Sequence, residues 1–368
     1  MSLHKNAKKQ IFHVVFLVVL VAVTLVVLFT SNKELNFESI GNFLKSCDYR
    51  WMIAVVGAMI LSVVFEGLSL HFILRGLGAR PKLHSSLAYA TADVYYSAIT
   101  PSASGGQPAS AYYMVKDGIG AGKASFALVF NLVAYTASII IIGTAALILR
   151  PEYFGQINNW LANVLIIFGF VLQAVLLLFF FGCMFWGKAV LKIGNWIIKL
   201  LTKIRIVKRP EKWQTKLANE VAKYKECLYA LKEHPFLSVI NLLFNLGQRI
   251  SAICISCFVI LAAVPEPSFD LFIDLFAMQA LVIIGYNTIP LPGGVGAFEF
   301  LYVCVYGLLN VERALILAAL MVTRTFSYYL RMTLSGVYTL GYHVRQMRRK
   351  PKETITGVQK DDEKREET

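Results

Sequence analysis

Charge is scarce in this sequence. Only 16% of its 368 residues are Asp, Glu, Lys or Arg, against about a quarter in an ordinary soluble domain. Acidic residues are the rarer sign, 22 against 36 Lys and Arg, which excludes an acidic solvating chain. The six cysteines are too few and too scattered for a disulfide scaffold. Cys254 and Cys257 do form a C-x-x-C pair, but it lies in an apolar run without a second pair or a nearby His. It therefore reads as two small apolar side chains rather than a zinc or redox site. The sequence has no P-loop, no G-x-S-x-G and no H-E-x-x-H, which argues against the soluble catalytic classes those motifs mark. His71 and His84 stand too far apart to suggest a metal, and no cofactor is implied.

Apolar sequence is what the chain has in quantity: 57% of residues, with a mean hydropathy of +0.60. It is gathered into long runs at 11–29, 51–65, 126–149, 161–186 and 250–264. A helix needs about 20 such residues to cross about 30 Å of hydrocarbon, and several runs of that length in one chain specify a polytopic membrane protein. The net charge of +14 sits in blocks between the runs, as the positive-inside rule places it, so nucleic acid is not the expected partner. Lys5, Lys8 and Lys9 precede the first run, which lacks a small-residue cleavage site and reads as an uncleaved span.

Threading the chain by its basic blocks places both termini in the cytoplasm. Full spans are expected at about 11–29, 51–74, 123–149, 160–186, 235–264 and 313–343. The segment 31–50 and the acidic pair Glu266 and Asp270 fall outside. Arg75, Arg80 and Lys82 fall inside, as do the basic block 188–234 and the tail 346–368. The basic block reads either as an amphipathic helix on the anionic inner leaflet or as a charged cytoplasmic loop. The tail is a charge run without apolar residues to bury and is expected to be disordered.

Two apolar stretches do not fit a simple span. Residues 85–116 are interrupted at 100–108 by Thr-Pro-Ser-Ala-Ser-Gly-Gly-Gln-Pro, and residues 271–309 are interrupted at 289–296 by Ile-Pro-Leu-Pro-Gly-Gly-Val-Gly. Each is read as a re-entrant hairpin. Each follows a full helix and precedes another, and the preceding helices run in opposite directions, so the halves 51–149 and 235–343 form an inverted repeat. Paired broken segments of this kind point to a transporter's substrate site, because their backbone must be buried in protein or line a cavity. The alternative is two polar loops flanked by short spans.

Ionisable residues at membrane depth are functional candidates by default. They are Glu66, Asp93, Arg249, Asp274, Glu299, Arg324 and Arg331. Seven residues separate Arg324 from Arg331, which predicts one face of the last helix, where two guanidiniums could grip a phosphate diester. Structural pairing of Arg324 with Glu299 or Asp93 competes with that reading, and snorkelling of Arg331 to the surface is the leading alternative for Arg331. Glu66 and Arg331 are candidates for coupling or pairing. Arg249 and Asp274 are placed nearer span ends, with a topological role. Tyr95, Tyr96, Tyr112, Tyr113, Tyr328 and Tyr329 read mostly as interfacial aromatics.

The two breaks resemble the motifs of a known family. Thr100 and Pro101, a small-residue turn, then Gly105, Gly106, Gln107 and Pro108, followed by Lys116, Asp117 and Gly118, resemble its first motif. Pro290, Pro292, Gly293, Gly294, Gly296 and then Glu299 resemble its second, with Ala297 and Phe298 where a small residue is common. The family is the lysylphosphatidylglycerol synthase transmembrane region, or flippase-like domain, and the resemblance spans residues 10–345. It implies a transmembrane domain over 1–345 in a bacterial plasma membrane, without the soluble lysyltransferase domain of full-length synthases. The implied function is movement of anionic or aminoacylated phosphatidylglycerol. Its implied binding residues are Asp93, Pro101, Gly105, Gly106, Gln107, Pro290, Gly293, Gly294, Glu299 and Arg324. The alternative is the membrane part of a phosphatidylglycerol lysyltransferase, serving lysyl-lipid synthesis and resistance to cationic peptides. The partners that follow are a phospholipid substrate, the membrane and, as options, a soluble transferase or a second copy of the chain.

Overall fold

Asp48 opens the first long helix: its carboxylate accepts the Arg50 backbone N–H at 2.8 Å, satisfying one of the donors that a helix start leaves free. The computed structural model describes residues 37–348 apart from 101–102, 186, 204–209, 234, 288 and 310. The expected first span at 11–29, Pro101 and the tail from 349 lie outside the described residues. Everything regular among the described residues is helical. In chain order the helices are α1 (Phe37–Ser46), α2 (Tyr49–Gly76), α3 (Leu83–Ile99), α4 (Gly106–Lys116), α5 (Ala121–Leu149), α6 (Pro151–Gln156) and α7 (Trp160–Phe185). They continue with α8 (Gly187–Lys203), α9 (Pro210–Lys232), α10 (Pro235–Ala263), α11 (Phe269–Asn287), α12 (Ala297–Tyr306), α13 (Arg313–Arg324) and α14 (Arg331–Arg348). Proline stands at the first position of α6, α9 and α10, where its missing N–H costs nothing.

Five of these helices are long and apolar enough to cross a membrane: α2, α5, α7 (over Trp160–Gly182), α10 and α11. On α7, the least buried of the five, Leu178 is 71% and Phe179 59% exposed. Such a contiguous apolar surface is stable facing lipid and not water. The chain is therefore a multi-pass membrane protein.

α2 and α10 form the central pair, and their contacts fix their relative direction. Trp51 meets Phe258, Phe65 meets Phe244, Ser69 meets Asn245, and the Asp48 N–H donates to the Ala262 carbonyl at 2.8 Å. As one number rises the other falls, so the equivalent helices of the two halves run antiparallel. The two breaks form helical hairpins, α3–α4 and α11–α12, that enter from opposite ends. The foot of the first is tied to the end of α14, where Tyr342 donates to Ser85 at 2.9 Å and Gln346 to Asp117 at 2.8 Å. The foot of the second lies at the other end, where Arg150, just after α5, binds Asp274 at 2.6 Å and also Asp270.

The tips meet in the middle. Tyr328 donates to the Ala98 carbonyl at 3.0 Å and shares a small apolar cluster with Ala98, Ile99 and Val295. Although α11 has the length of a span, it stops half-way: its last residue, Asn287, accepts from Tyr135 at 3.1 Å, near the midpoint of α5. Close packing holds it there. A Cβ on Gly169 of α7 would fall 2.1 Å from the Ile284 carbonyl oxygen, so only glycine allows the two helices to approach this far.

One expectation needs correction. The last helix is not uniform, because a π turn, Thr325–Leu330, separates α13 from α14. Its wider winding changes the angle between Arg324 and Arg331, and the two arginines pair with different carboxylates. Of the two readings of the basic block, the structure shows the helical one: it folds into α8 and α9. In α8 Lys192 and Lys199 fall on one side at 100° per residue, while Ile193 and Trp196 stand exposed beside them. The cysteine reading holds, since Cys254 and Cys257 are free and buried.

Candidate functional site

A cavity of about 810 Å³ opens where the hairpin tips meet the long helices. Its polar wall carries Glu66 of α2, Asp93 of α3, Arg249 of α10, Arg324 of α13 and Arg331 of α14. Opposite them, Leu172, Leu176 and Phe180 of α7 supply an apolar wall. Both breaks contribute, through Gln107 from the first and Pro290, Gly293 and Gly294 from the second.

The second break owes its shape to glycine. Gly293, Gly294 and Gly296 have φ of +59°, +62° and +89°, a region that costs other residues about 1–2 kcal/mol. A Cβ on Gly293 would also lie 2.0 Å from the Tyr328 ring. The turn delivers the start of α12, where Glu299 accepts the Gly296 N–H at 2.6 Å. The other oxygen of that carboxylate accepts from Arg324 Nε at 2.6 Å. The Arg324 guanidinium is further held by the Gly293 carbonyl at 3.0 Å and lies 4.2 Å above the Phe298 ring. Both members of this pair are 5% exposed, so the protein, not water, fixes the position of the arginine. Its Nη2 is left without a partner among the described residues. Glu299 itself does not border the cavity; it stands behind Arg324 and orients it.

The first break is tight in a different way. Thr100 Oγ1 accepts the Gly105 N–H at 2.9 Å and donates to the Tyr96 carbonyl at 2.6 Å, closing the turn. A Cβ on Gly106 would fall 1.9 Å from Asp93 Oδ1, so glycine lets the start of α4 sit against that carboxylate. Gly105 and Gly106 shape the tip and do not border the cavity. Ser97 donates to Asp93 at 3.0 Å, and no cation lies within salt-bridge distance of Asp93 among the described residues.

Glu66 accepts from Gln248 at 2.7 Å and lies 3.6 Å from Arg331 Nη2. Arg331 therefore faces the cavity, its side chain 17% exposed, and does not snorkel to the surface. The π turn before it and the buried Glu66 account for that inward aim. Arg249 also departs from expectation. It stands near the middle of the 29-residue α10, 4.2 Å above the Tyr135 ring, with Nη1 donating to the Tyr135 hydroxyl at 3.2 Å. It has no carboxylate partner among the described residues. Asp274, bound to Arg150 at the foot of the second hairpin, keeps the end-of-span placement.

Sequence reasoning named Arg249 but set it near a span end, and it missed Gln248, Tyr135 and Asn287. Arg249 was legible as the central residue of an apolar segment running from Pro235. The other three are neutral side chains without a signal until the tertiary contacts form. Tyr328, read as an interfacial aromatic, joins the two hairpin tips instead.

The fold and cavity define a class: a helical membrane protein built as an inverted repeat, with two hairpins meeting at a charged mid-membrane cavity. The model of the lysylphosphatidylglycerol synthase TM region matches residues 15–335, and the chain belongs to that family. A search of curated proteins gives no match.

Proposed function

We propose that this protein moves phospholipid head groups across a bacterial plasma membrane, with anionic or aminoacylated phosphatidylglycerol as the substrate class. The observation that carries the reading is the cavity, with Arg249, Arg324 and Arg331 on one wall and apolar α7 on the other. Guanidiniums suit a phosphate diester because they offer paired, planar donors, and an apolar wall suits the attached acyl chains. Arg249 and Arg331 grip the phosphate, Arg324 adds a fixed positive charge, and Asp93 and Glu66 balance a cationic group on the head. Gln107, Pro290, Gly293 and Gly294 border the path as the two hairpins rock against each other. Both termini face the cytoplasm on this reading, which the distribution of basic blocks supports.

The test is reconstitution in liposomes carrying fluorescent or lysyl-modified phosphatidylglycerol. Head-group movement well above that of empty liposomes is expected, and none across several lipid classes would overturn the reading. A second reading, the membrane partner of a soluble transferase, draws on α8 and α9, two basic helices beside the bundle. Loss of lysyl-lipid synthesis on deleting this chain alone, with a transferase recovered on those helices, would favour it.

A further inference from the structure

Asp93 borders the cavity as a carboxylate that no cation claims at salt-bridge distance among the described residues. Its hydrogen-bond partner is the Ser97 hydroxyl, at 3.0 Å. Two charged groups act on it from the elements packed against α3: Glu66 from α2 and Arg331 from α14. Arg331 divides its charge between the two carboxylates, since Glu66 lies 3.6 Å from it. The start of α4 presses against Asp93 through Gly106, while the titratable groups of α4, Tyr112, Tyr113 and Lys116, stand at its other end. The second break has no titratable side chain over 289–296, and Tyr328 of the π turn gives its hydrogen to the Ala98 carbonyl.

The charges around the empty cavity balance. Arg324 is matched by Glu299 behind it, and Arg249 and Arg331 are matched by Glu66 and Asp93. A lipid phosphate adds a negative charge in surroundings where an uncompensated charge is costly. An amine on the head group can offset it. Phosphatidylglycerol without an amine brings no such charge, and a proton entering with it restores the balance.

We propose that Asp93 is a proton carrier: it takes up a proton when an anionic head group binds and gives it back where the lipid leaves. Ser97 provides for both states. With Asp93 ionised, the Ser97 hydrogen points to the carboxylate. With Asp93 protonated, the acid O–H donates to Ser97 Oγ and the hydroxyl hydrogen turns to the Ala103 carbonyl, 3.3 Å away. Neither state leaves the pair without a partner, so the exchange avoids the cost of an unmade hydrogen bond. Glu66 is less suited, because it already accepts from Gln248 at 2.7 Å and keeps that donor when a phosphate draws Arg331 away.

The inference rests on the transport reading and adds its energy source. Proton and phosphate raise each other's affinity by the same factor. They cross together without net charge, so a pH gradient, and not a membrane potential, drives the movement. In a lysyl-modified lipid the head-group amines take the place of the proton, and no uptake accompanies binding.

The experiment adds short-chain phosphatidylglycerol to the full chain purified in detergent, in weak buffer with a pH-indicator dye, while calorimetry counts the lipid bound. Uptake of about one proton per lipid is expected, with an affinity that falls by up to about tenfold per pH unit toward alkaline solution. Asp93→Asn, which mimics the protonated acid, should bind the lipid without proton uptake and without that pH dependence. Glu66→Gln should still take up the proton. Lipid bound by the wild type without uptake, uptake unchanged in Asp93→Asn, or uptake lost in Glu66→Gln overturns the proposal. Should Asp93→Asn not fold, Glu66→Gln decides, because Asp93 is then the one carboxylate bordering the cavity among the described residues. A wild type that binds no lipid overturns the transport reading and the proton carrier with it, whereas binding without uptake overturns the carrier alone.

Discussion

Glu299 and Arg324 show how a single pair sets the chemistry of the cavity. The carboxylate is buried behind the arginine and joined to it at 2.6 Å. Removing one partner of a buried pair costs about 3–5 kcal/mol, because the other charge is left in a poorly polar site. Glu299→Gln should therefore lower the melting temperature strongly, while the double variant with Arg324→Gln should recover much of the loss; a thermal-shift series on the three variants checks this. Arg249 makes the opposite case. Having no carboxylate partner among the described residues, it should tolerate Arg249→Gln with little change in melting temperature. Lipid movement in liposomes should nevertheless fall at least tenfold, about 1.4 kcal/mol. Gly293→Ala belongs at this scale too. It combines a positive φ with a Cβ placed 2.0 Å from the Tyr328 ring, and a loss of about 2–4 kcal/mol is expected from strain and overpacking together, read by thermal unfolding.

At the scale of elements, the hairpins were legible because glycine and proline interrupt apolar runs that would otherwise span. Charge placement then gave their opposite entry, since Arg75, Arg80 and Lys82 flank one foot while Glu266 and Asp270 flank the other. The π turn was not legible: nothing in Thr325–Leu330 distinguishes it locally from α-helix. Both Arg324 and Arg331 still border the cavity, but the separate pairing of each with Glu299 and Glu66 was not legible. Arg249 was misplaced although the expected span 235–264 has it at the centre, because the unbroken apolar run begins only after it, at Ile250. The orientation of these elements is open to a direct check. Cysteines placed at Lys82 and Glu266, both exposed, should react with an impermeant thiol reagent from opposite faces, Glu266 from outside. Labelling of both from one side would break the inverted threading.

On the scale of the whole molecule, the antiparallel pair α2–α10 supplies a rigid axis, and the two hairpins hang from its opposite ends. Tyr328 bridges their tips through one hydrogen bond to the Ala98 carbonyl and a small apolar cluster. A junction this small suits two hairpins that part and rejoin as a head group passes. Tyr328→Phe removes the bond and keeps the ring, so a change of about 1 kcal/mol in stability should accompany a clear change in transport rate, measurable in the same liposomes. The cavity between the tips, on this reading, receives a lipid phosphate. That is tested most directly by a structure of the protein in nanodiscs containing phosphatidylglycerol. Phosphate density is predicted within hydrogen-bonding distance of Arg249 and Arg331, with acyl density along Leu172, Leu176 and Phe180. A well-ordered cavity holding only water in that membrane would contradict it.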